Sequence, residues 1–266
     1  MTSTASTGAA SAGTASTGTG TSAAGYVDSA PDRATATAAT ATATTDLTGA
    51  AYVREWVHGW TVSRAAAPPE PRPWGWWITV GQEKHVGRHV FGGIGEEVRE
   101  EDVRAVTAAP QGLGTQLKIV ADPARVIPWF APGWECMAAD DWFMAKDLDA
   151  GDTAPDSVPS GYRLALWTRA DVTRVVLTTA TGDFAAHGQV GVCGPSAAVD
   201  QIETAEAHRR RGLGAYVMRH LHAAARAAGA ERAVLACTPA GRKLYLTVGW
   251  REVSPFTHAR YVGAGN

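Results

Sequence analysis

HRRRGLGA, at residues 208–215, joins a strand pattern to a helix pattern. The preceding run SAAVDQIETA (196–205) is predicted to be a strand, and apolar residues recur at helical spacing through residues 212–230. Positive charge is unfavourable at the amino terminus of a helix, so three arginines there indicate an anionic ligand. Gly212 and Gly214 would let backbone N–H groups approach a phosphate without an intervening Cβ. The stretch therefore predicts a phosphate-binding loop.

Two familiar phosphate-binding motifs do not fit this loop. A Walker loop has Lys-Ser or Lys-Thr directly after its last glycine, and neither pair follows Gly214. A dinucleotide fingerprint needs a third glycine at position 217, where the chain has Val217. A solvated basic helix start is the alternative for the loop taken alone, but the strands predicted on either side favour anion binding.

The composition excludes several broad classes of protein. The formal net charge of the 266-residue chain is −2, so a basic site has to be local, and three arginines are too few for a nucleic-acid binder. No apolar run reaches the roughly 18 residues of a membrane span. The cysteines are three in number and form no CxxC pair, as is usual in a reducing compartment. We therefore expect a cytoplasmic protein with no nucleic-acid or membrane partner.

Changes in composition divide the chain into four parts. Residues 1–45 are almost wholly Thr, Ala, Ser and Gly and are predicted to be a disordered tail. Residues 46–146 and 161–266 both contain helix and strand patterns, which predicts two α/β halves. Residues 147–160 are rich in Asp, Pro, Ser and Gly and are predicted to link the halves.

The two halves share a similar segment. LKIVADPARVIPWFAPGW (117–134) aligns without gaps with AVLACTPAGRKLYLTVGW (233–250), which matches Pro123 with Pro239 and one Gly-Trp pair with another. We interpret this similarity as an internal duplication. The stretch FGGIGEE (91–97) would then occupy the place of the arginine loop, but it carries two glutamates and no arginine. The first half is therefore predicted to be degenerate and to lack an anion site.

The second half resembles the GNAT superfamily of N-acetyltransferases. Residues 209–214 match the acyl-CoA signature [RQ]-x-x-G-x-[GA] of that family, and LYLTVGW (244–250) is similar to its L-Y-x-x-x-G-[FW] ending. The resemblance extends over about residues 161–262. It implies an α/β protein with the GNAT fold, a mixed central β-sheet flanked by helices, preceded by the degenerate α/β half. It also implies acetyl-CoA as the cosubstrate.

The resemblance implies which residues bind acetyl-CoA. In the family the pyrophosphate rests on backbone N–H groups of the loop, and the pantetheine arm pairs with the strand before it. An N–H group near Ile202 would polarise the thioester carbonyl. Carried over to this chain, the cosubstrate-binding residues are Ile202, Glu203, Thr204, Arg209, Arg210, Arg211, Gly212, Leu213, Gly214 and Ala215.

Tyr245 matches the tyrosine with which the family protonates the leaving thiolate, a role that suits a phenol. The residue aligned with it in the first half is Trp129, which cannot make this transfer, so the first half is predicted to be inactive.

Three residues are candidates for the general base. Strict alternation along the strand places Asp200 on the face of Ile202, with Glu203 on the other face. If the Ile202 face lines the cleft, Asp200 is the first candidate and Glu203 the second. His187, on the preceding predicted strand, is a further option.

These features predict an N-acyltransferase that moves acetyl from acetyl-CoA to a primary amine of a small molecule or peptide. The amine would attack directly, without a covalent enzyme intermediate. The alternative is a non-catalytic acyl-CoA-binding module with a regulatory role. We expect no metal, because His220 and His222 would lie about 200° apart on their helix and could not bind one ion. A monomer or a homodimer is expected.

One feature departs from the family pattern. A GNAT domain usually has two helices between its first and second strands, but only TRADV (168–172) follows the predicted strand YRLALW (162–167). Either this strand is not the equivalent one, or the helices are lost or supplied by the first half. The acceptor site, which such helices partly enclose, is the least defined part of the prediction.

Overall fold

The computed structural model describes residues 49–264, so the predicted tail lies outside the described residues. The α-helices of this region are α1 (Gly49–Arg64), α2 (Glu100–Ala108), α3 (Pro123–Val126), α4 (Leu213–Ala227) and α5 (Pro239–Thr247). The strands are β1 (Glu70–Arg72), β2 (Gly75–Gln82), β3 (His85–Ile94), β4 (Gln116–Val120), β5 (Trp134–Asp147), β6 (Tyr162–Arg169), β7 (Val172–Thr179), β8 (Phe184–Cys193), β9 (Ser196–Thr204), β10 (Arg232–Cys237) and β11 (Arg251–Tyr261). None of the helices in this region is long and apolar enough to cross a membrane.

All eleven strands form one mixed sheet, in the order β1-β2-β3-β4-β11-β5-β10-β9-β8-β7-β6. The parallel pairs are β3 with β4 and β9 with β10, and the other neighbours are antiparallel. Four strands lie on the β11 side of the central pair and five on the β5 side, and the parallel pair β3 and β4 has its counterpart in β9 and β10. The predicted α/β class, a mixed sheet flanked by helices, is confirmed.

The two halves exchange their last strands. β5 of the first half pairs with β10 of the second, and β11 of the second half pairs with β4 of the first. The segments that look alike in sequence, 117–134 and 233–250, occupy equivalent places around this centre. This arrangement is the one expected of a duplicated unit, but it also means that the halves share a single sheet. The predicted boundaries at residues 146 and 161 stay predictions.

Helix α1 covers the face of the sheet opposite α4. Gly59 of α1 lies so close to β9 that a Cβ on it would be 2.8 Å from the Cβ of Ala198. The side chain of Gln189 on β8 donates a hydrogen bond to the Ser63 hydroxyl of α1 at 2.8 Å. α4 packs on the other face, in the same apolar core as Tyr245 of α5. A helix of the first half thus covers the part of the second half where the sequence lacks helices.

Gly191→Ala is expected to destabilise the protein by about 1–3 kcal/mol, because overpacking forces backbone shifts. A Cβ at Gly191 of β8 would lie 2.6 Å from the carbonyl oxygen of Gly59 and 2.7 Å from the backbone nitrogen of Ser63. Urea unfolding measures the change. The matched control is Gly112→Ala, whose Cβ would meet only the Thr115 hydroxyl at 3.9 Å. Equal stability of the two variants would contradict this close packing.

The segment predicted to link the halves is anchored by a buried carboxylate. Asp152 forms an ion pair with Lys146 of β5 at 3.2 Å and lies 3.4 Å from Nδ1 of His222 on α4. His222 accepts a hydrogen bond at Nε2 from the indole of Trp250 at 2.9 Å. Burial lowers the pKa of His222 to about 4, so the ring is neutral near pH 7.

Candidate functional site

A β-bulge in β9 changes the direction of its side chains. Gln201 has a φ of +54°, and the register between β8 and β9 shifts between the pairs that contain Asp200 and Glu203. An extra residue in one strand interrupts the alternation of faces. The simple two-residue period therefore does not hold across this position.

Our prediction that Asp200 and Ile202 share a face of the sheet is wrong, because the bulge lies between them. Asp200 lies on the α1 side, where Arg64 binds both of its carboxylate oxygens, with an Nη2–Oδ1 distance of 3.0 Å. Ile202 lies on the α4 side, packed against the core that contains Val217 and Leu221. Strict alternation fails because the backbone turns at Gln201.

Glu203 lies on the same side of the sheet as Asp200, against our prediction. It pairs across the strands with His187, at 3.6 Å between Nε2 and Oε2. His187 is two residues from Gln189, which binds α1, and therefore shares its face. The Glu203 side chain is 64% exposed, whereas that of Asp200 is 18% exposed. Of the predicted bases, Asp200 is thus the more enclosed.

Strands β9 and β10 separate after a short parallel stretch. Their residues pair only from Ser196–Arg232 to Ala198–Val234, although β9 continues to Thr204. The backbone of residues 199–204 therefore has no strand partner on the β10 side. The gap, which we call the β9–β10 cleft, is lined by Ile202, Leu235, Cys237 and Tyr245 among others.

The arginine loop forms one wall of a groove of about 790 Å³ on the α4 side of the sheet. Arg210 and Gly212 have φ values of +62° and +76°, so the backbone is left-handed at both positions just before α4. No side chain caps the first turn of α4, which leaves its N–H groups available. The residues that line this α4-side groove include Thr204, Arg209, Arg210, Gly212, Leu213, Gly214 and Ala215. A groove with these donors suits a phosphate group.

The three arginines of the loop point in different directions. Arg210 lines the α4-side groove, and Arg209 lines it while its Nε donates to the carbonyl of Thr204 at 3.3 Å. The side chain of Arg211 instead lies 3.3 Å from the hydroxyl of Tyr162 on β6. The cosubstrate-binding role of Arg211 stays a prediction, and with the side chain in this position it would rest on the backbone N–H group.

Tyr245 is buried on α5 and lines the β9–β10 cleft. Helix α5 starts at Pro239, with the Thr238 side chain accepting a hydrogen bond from the Gly241 N–H at its first turn. Burial, with smaller contributions from Cys237 and Asp200, raises the pKa of Tyr245. The phenol is therefore protonated and can act as a proton donor at the cleft.

In the first half, the loop equivalent to the arginine loop is residues 91–97, at the end of β3, and an arginine side chain from α3 binds it. Arg125 of α3 donates to the carbonyl of Gly95 at 2.7 Å and to that of Val98 at 3.0 Å. The same guanidinium lies 3.4 Å from Glu96 and 4.6 Å from the ring centre of Trp129. This loop presents carbonyl and carboxylate oxygens, which do not suit an anion.

A pocket that the sequence analysis missed lies on the α1 side. This α1-side pocket has a volume of about 180 Å³, and Arg64, Asp200 and Cys237 line both it and the β9–β10 cleft. Its residues come from α1, from six strands and from the N-cap of α5: Trp56, Trp60, Arg64, Arg88, Lys118, Asp141, Val199, Asp200, Ala236, Cys237, Thr238, Phe256 and His258. No local motif joins residues so far apart in sequence, so only the fold could reveal them.

Two buried basic side chains and a buried carboxylate dominate this pocket. Arg88 and Lys118 are each 6% exposed and Asp141 is 9% exposed. Burial lowers the pKa of Arg88 to about 9, and burial, aided by Arg88, lowers that of Lys118. Burial raises the pKa of Asp141, although Lys118 opposes the effect. One oxygen of Asp141 is buried without a hydrogen bond from the described residues.

Comparison with known proteins agrees with this geometry. The family model described as Acetyltransferase (GNAT) family matches residues 140–250, which include the loop, α4 and Tyr245. Residues 140–250 are therefore similar to a GNAT acetyltransferase domain. The match to this GNAT domain begins inside β5 and ends just before β11. It confirms the resemblance on which the loop was interpreted.

Solved structures that resemble the chain include proteins described as GNAT acetyltransferases. A GCN5-related N-acetyltransferase from Kribbella flavida has a TM-score of 0.56 and 18% identity, covering 81% of this chain and 96% of its own. A putative GNAT acetyltransferase from Novosphingobium aromaticivorans has a TM-score of 0.48 and 14% identity, covering 81% and 97%. The Kribbella flavida likeness shows the shared fold. No curated protein matches the chain.

Proposed function

We propose that this protein is an acyl-CoA-dependent N-acyltransferase that moves acetyl from acetyl-CoA to a primary amine. The observation that carries the proposal is the opening of β9 and β10 between the α4-side groove and the α1-side pocket. A cosubstrate on one side and an acceptor on the other could meet there, beside Tyr245. The acceptor is a small molecule rather than a protein surface, because the α1-side pocket is small and lined by α1 and the sheet.

The described residues fit acetyl-CoA, which supplies an activated acetyl thioester when bound. The N–H groups from Arg210 to Ala215 and the side chain of Arg210 would hold the pyrophosphate. The unpaired edge of β9, from Ile202 to Thr204, would hold the pantetheine arm as an added strand. The N–H group near Ile202 would then polarise the carbonyl.

Tyr245 would donate its proton to the sulfur as the carbon–sulfur bond breaks. The surroundings favour this transfer, because burial raises the pKa of the neighbouring Cys237 thiol to about 12. A thiolate formed in the same cleft is destabilised in the same way and takes up a proton readily. The attacking nitrogen forms the new bond to carbon and loses one proton to a base.

We assign the base to Asp141 rather than Asp200. Both oxygens of Asp200 are bound by Arg64, so a proton could be accepted only by disturbing that ion pair. Asp141 has an oxygen without a partner among the described residues, and its raised pKa makes it a stronger proton acceptor. Asp200 would instead hold Arg64, and with it the carboxyl end of α1, over the pocket.

Asp141→Asn is expected to lower kcat by about 10²–10⁴-fold near neutral pH, the usual contribution of a general base. The deficit should shrink as the pH rises, because more of the acceptor amine is then already deprotonated. The measurement is a pH profile of acetyl transfer for wild type, Asp141→Asn and Asp200→Asn. A deficit that shrinks at high pH only in Asp200→Asn would assign the base to Asp200 instead.

The proposal is tested by screening amines for acetyl-CoA-dependent release of free thiol. We expect at least one small primary amine to release thiol and to be recovered as its N-acetyl derivative. Acetyl-CoA binding without turnover on any amine would support the alternative, a non-catalytic acyl-CoA-binding module. Failure to bind acetyl-CoA at all would overturn both.

A further inference from the structure

The α1-side pocket carries more positive than negative charge. Arg64 and Asp200 neutralise each other in their ion pair. The carboxylate nearest in effect to Arg88 is Asp200, which Arg64 already binds, and the one nearest in effect to Lys118 is Asp141. The histidine of the pocket adds no charge, because burial and the neighbouring cations lower the pKa of His258 to about 2. A ligand that completes this pocket would bring one negative charge.

Arg88 is held in place by a stacked ring and one hydrogen bond. Its guanidinium stacks over Trp60, 3.6 Å from the ring centre, and its Nε donates to His85 at 3.2 Å. The two terminal nitrogens form no hydrogen bond with residues 49–264. A guanidinium fixed by stacking and by its Nε presents the planar pair of donors that a carboxylate accepts.

Lys118 stands beside this guanidinium with no partner of its own. Its side chain projects from β4 into the pocket, and Nζ forms no ion pair or hydrogen bond within the described part of the chain. Burying an unpaired ammonium group costs stability, and an aliphatic residue would fill the same space without that cost. Burial and the neighbouring Arg88 lower the pKa of Lys118, and an anionic ligand beside Nζ would raise that pKa and hold the ammonium charge. A buried amine kept at this position therefore points to a ligand rather than to the stability of the sheet.

We infer that the acceptor is a small amine that also carries a carboxylate, and that Arg88 and Lys118 bind this carboxylate. The inference rests on the proposed function. Asp141 lies in the same pocket and receives the amino group. A volume of about 180 Å³ lies below the roughly 300–1,000 Å³ of sites for drug-sized ligands and suits a molecule of amino-acid size. Both anion-binding residues belong to the first half, which thereby serves the chemistry of the second.

The experiment compares free amino acids with their carboxamides, their decarboxylated amines and aminoalkyl phosphates as acceptors. We expect acetyl transfer to the free acids and little to the carboxamides. Lys118→Met and Arg88→Gln should each raise the KM for the free acid by about 10–100-fold, the change expected when one charged hydrogen bond is lost. Neither substitution should change the affinity for acetyl-CoA. Equal use of acids and carboxamides, or an unchanged KM in both variants, would overturn the inference.

Two further measurements distinguish ligand binding by Lys118 from a structural role of that residue, and test the inference independently of the proposed function. Lys118→Met should raise Tm, whereas the loss of a structural lysine would lower it. With CoA in place of acetyl-CoA, calorimetry measures the binding of the same acids without turnover. Binding that Lys118→Met weakens would support the inference even if no amine were acetylated. Absence of binding, or preference for the phosphates, would overturn the carboxylate assignment.

Discussion

Tyr245→Phe is expected to lower kcat for acetyl transfer by about 10²–10³-fold, within the range for a general acid. The phenyl ring keeps the packing of α5 against Trp250, whose ring centre lies 6.0 Å away, but it has no proton to give. The affinity for acetyl-CoA should be unchanged, because the hydroxyl acts only when the carbon–sulfur bond breaks. Stopped assays of thiol release and equilibrium binding measure the two effects.

Tyr216→Phe is the matched control for this prediction. Tyr216 is also buried, on α4, where its ring packs edge-on against His220 at 4.7 Å. It lies in the core rather than in the β9–β10 cleft, so loss of its hydroxyl should leave kcat as in wild type. A Tyr245→Phe enzyme with wild-type kcat would remove the tyrosine from the mechanism.

Arg210→Ala is expected to raise the Kd for acetyl-CoA by about 10–100-fold, which corresponds to a charged hydrogen bond of 1.5–3 kcal/mol. The residue lines the α4-side groove at the place proposed for the pyrophosphate. Its φ of +62° disfavours arginine and alanine alike, so the substitution should add little backbone strain. Isothermal titration with acetyl-CoA measures the loss.

Two comparisons show where on the cosubstrate Arg210 acts. Arg211→Ala removes a neighbouring charge whose side chain lies toward Tyr162, and it should weaken binding much less. S-acetyl pantetheine lacks the pyrophosphate, so kcat/KM for it should be the same in Arg210→Ala and wild type. A penalty that persists with this shortened thioester would mean that the loop does not hold the pyrophosphate.

The arginine loop was predictable because its information is local. Strand, arginines, two glycines and helix follow one another within residues 196–230, and the chemistry of anion binding needs only that order. Tyr245 was predictable from a short motif for the same reason. The family and the mixed α/β sheet followed from these two motifs.

The face of Asp200 was not predictable, because a single bulge reverses it. Alternation assigns side chains correctly only while the backbone stays extended, and Gln201 leaves the extended region. Such local departures leave no simple period in the sequence.

The sequence by itself determined the α/β class, the resemblance of the two halves and the loop proposed to hold a pyrophosphate. Only the tertiary structure decided that the halves exchange strands β5 and β11 and share one sheet. Only it brought Arg64, Arg88, Lys118 and Asp141 into one pocket. The physical reason is the separation of the interacting residues along the sequence. Helices, turns and loops depend on neighbours along the chain, whereas strand pairing joins residues more than a hundred positions apart.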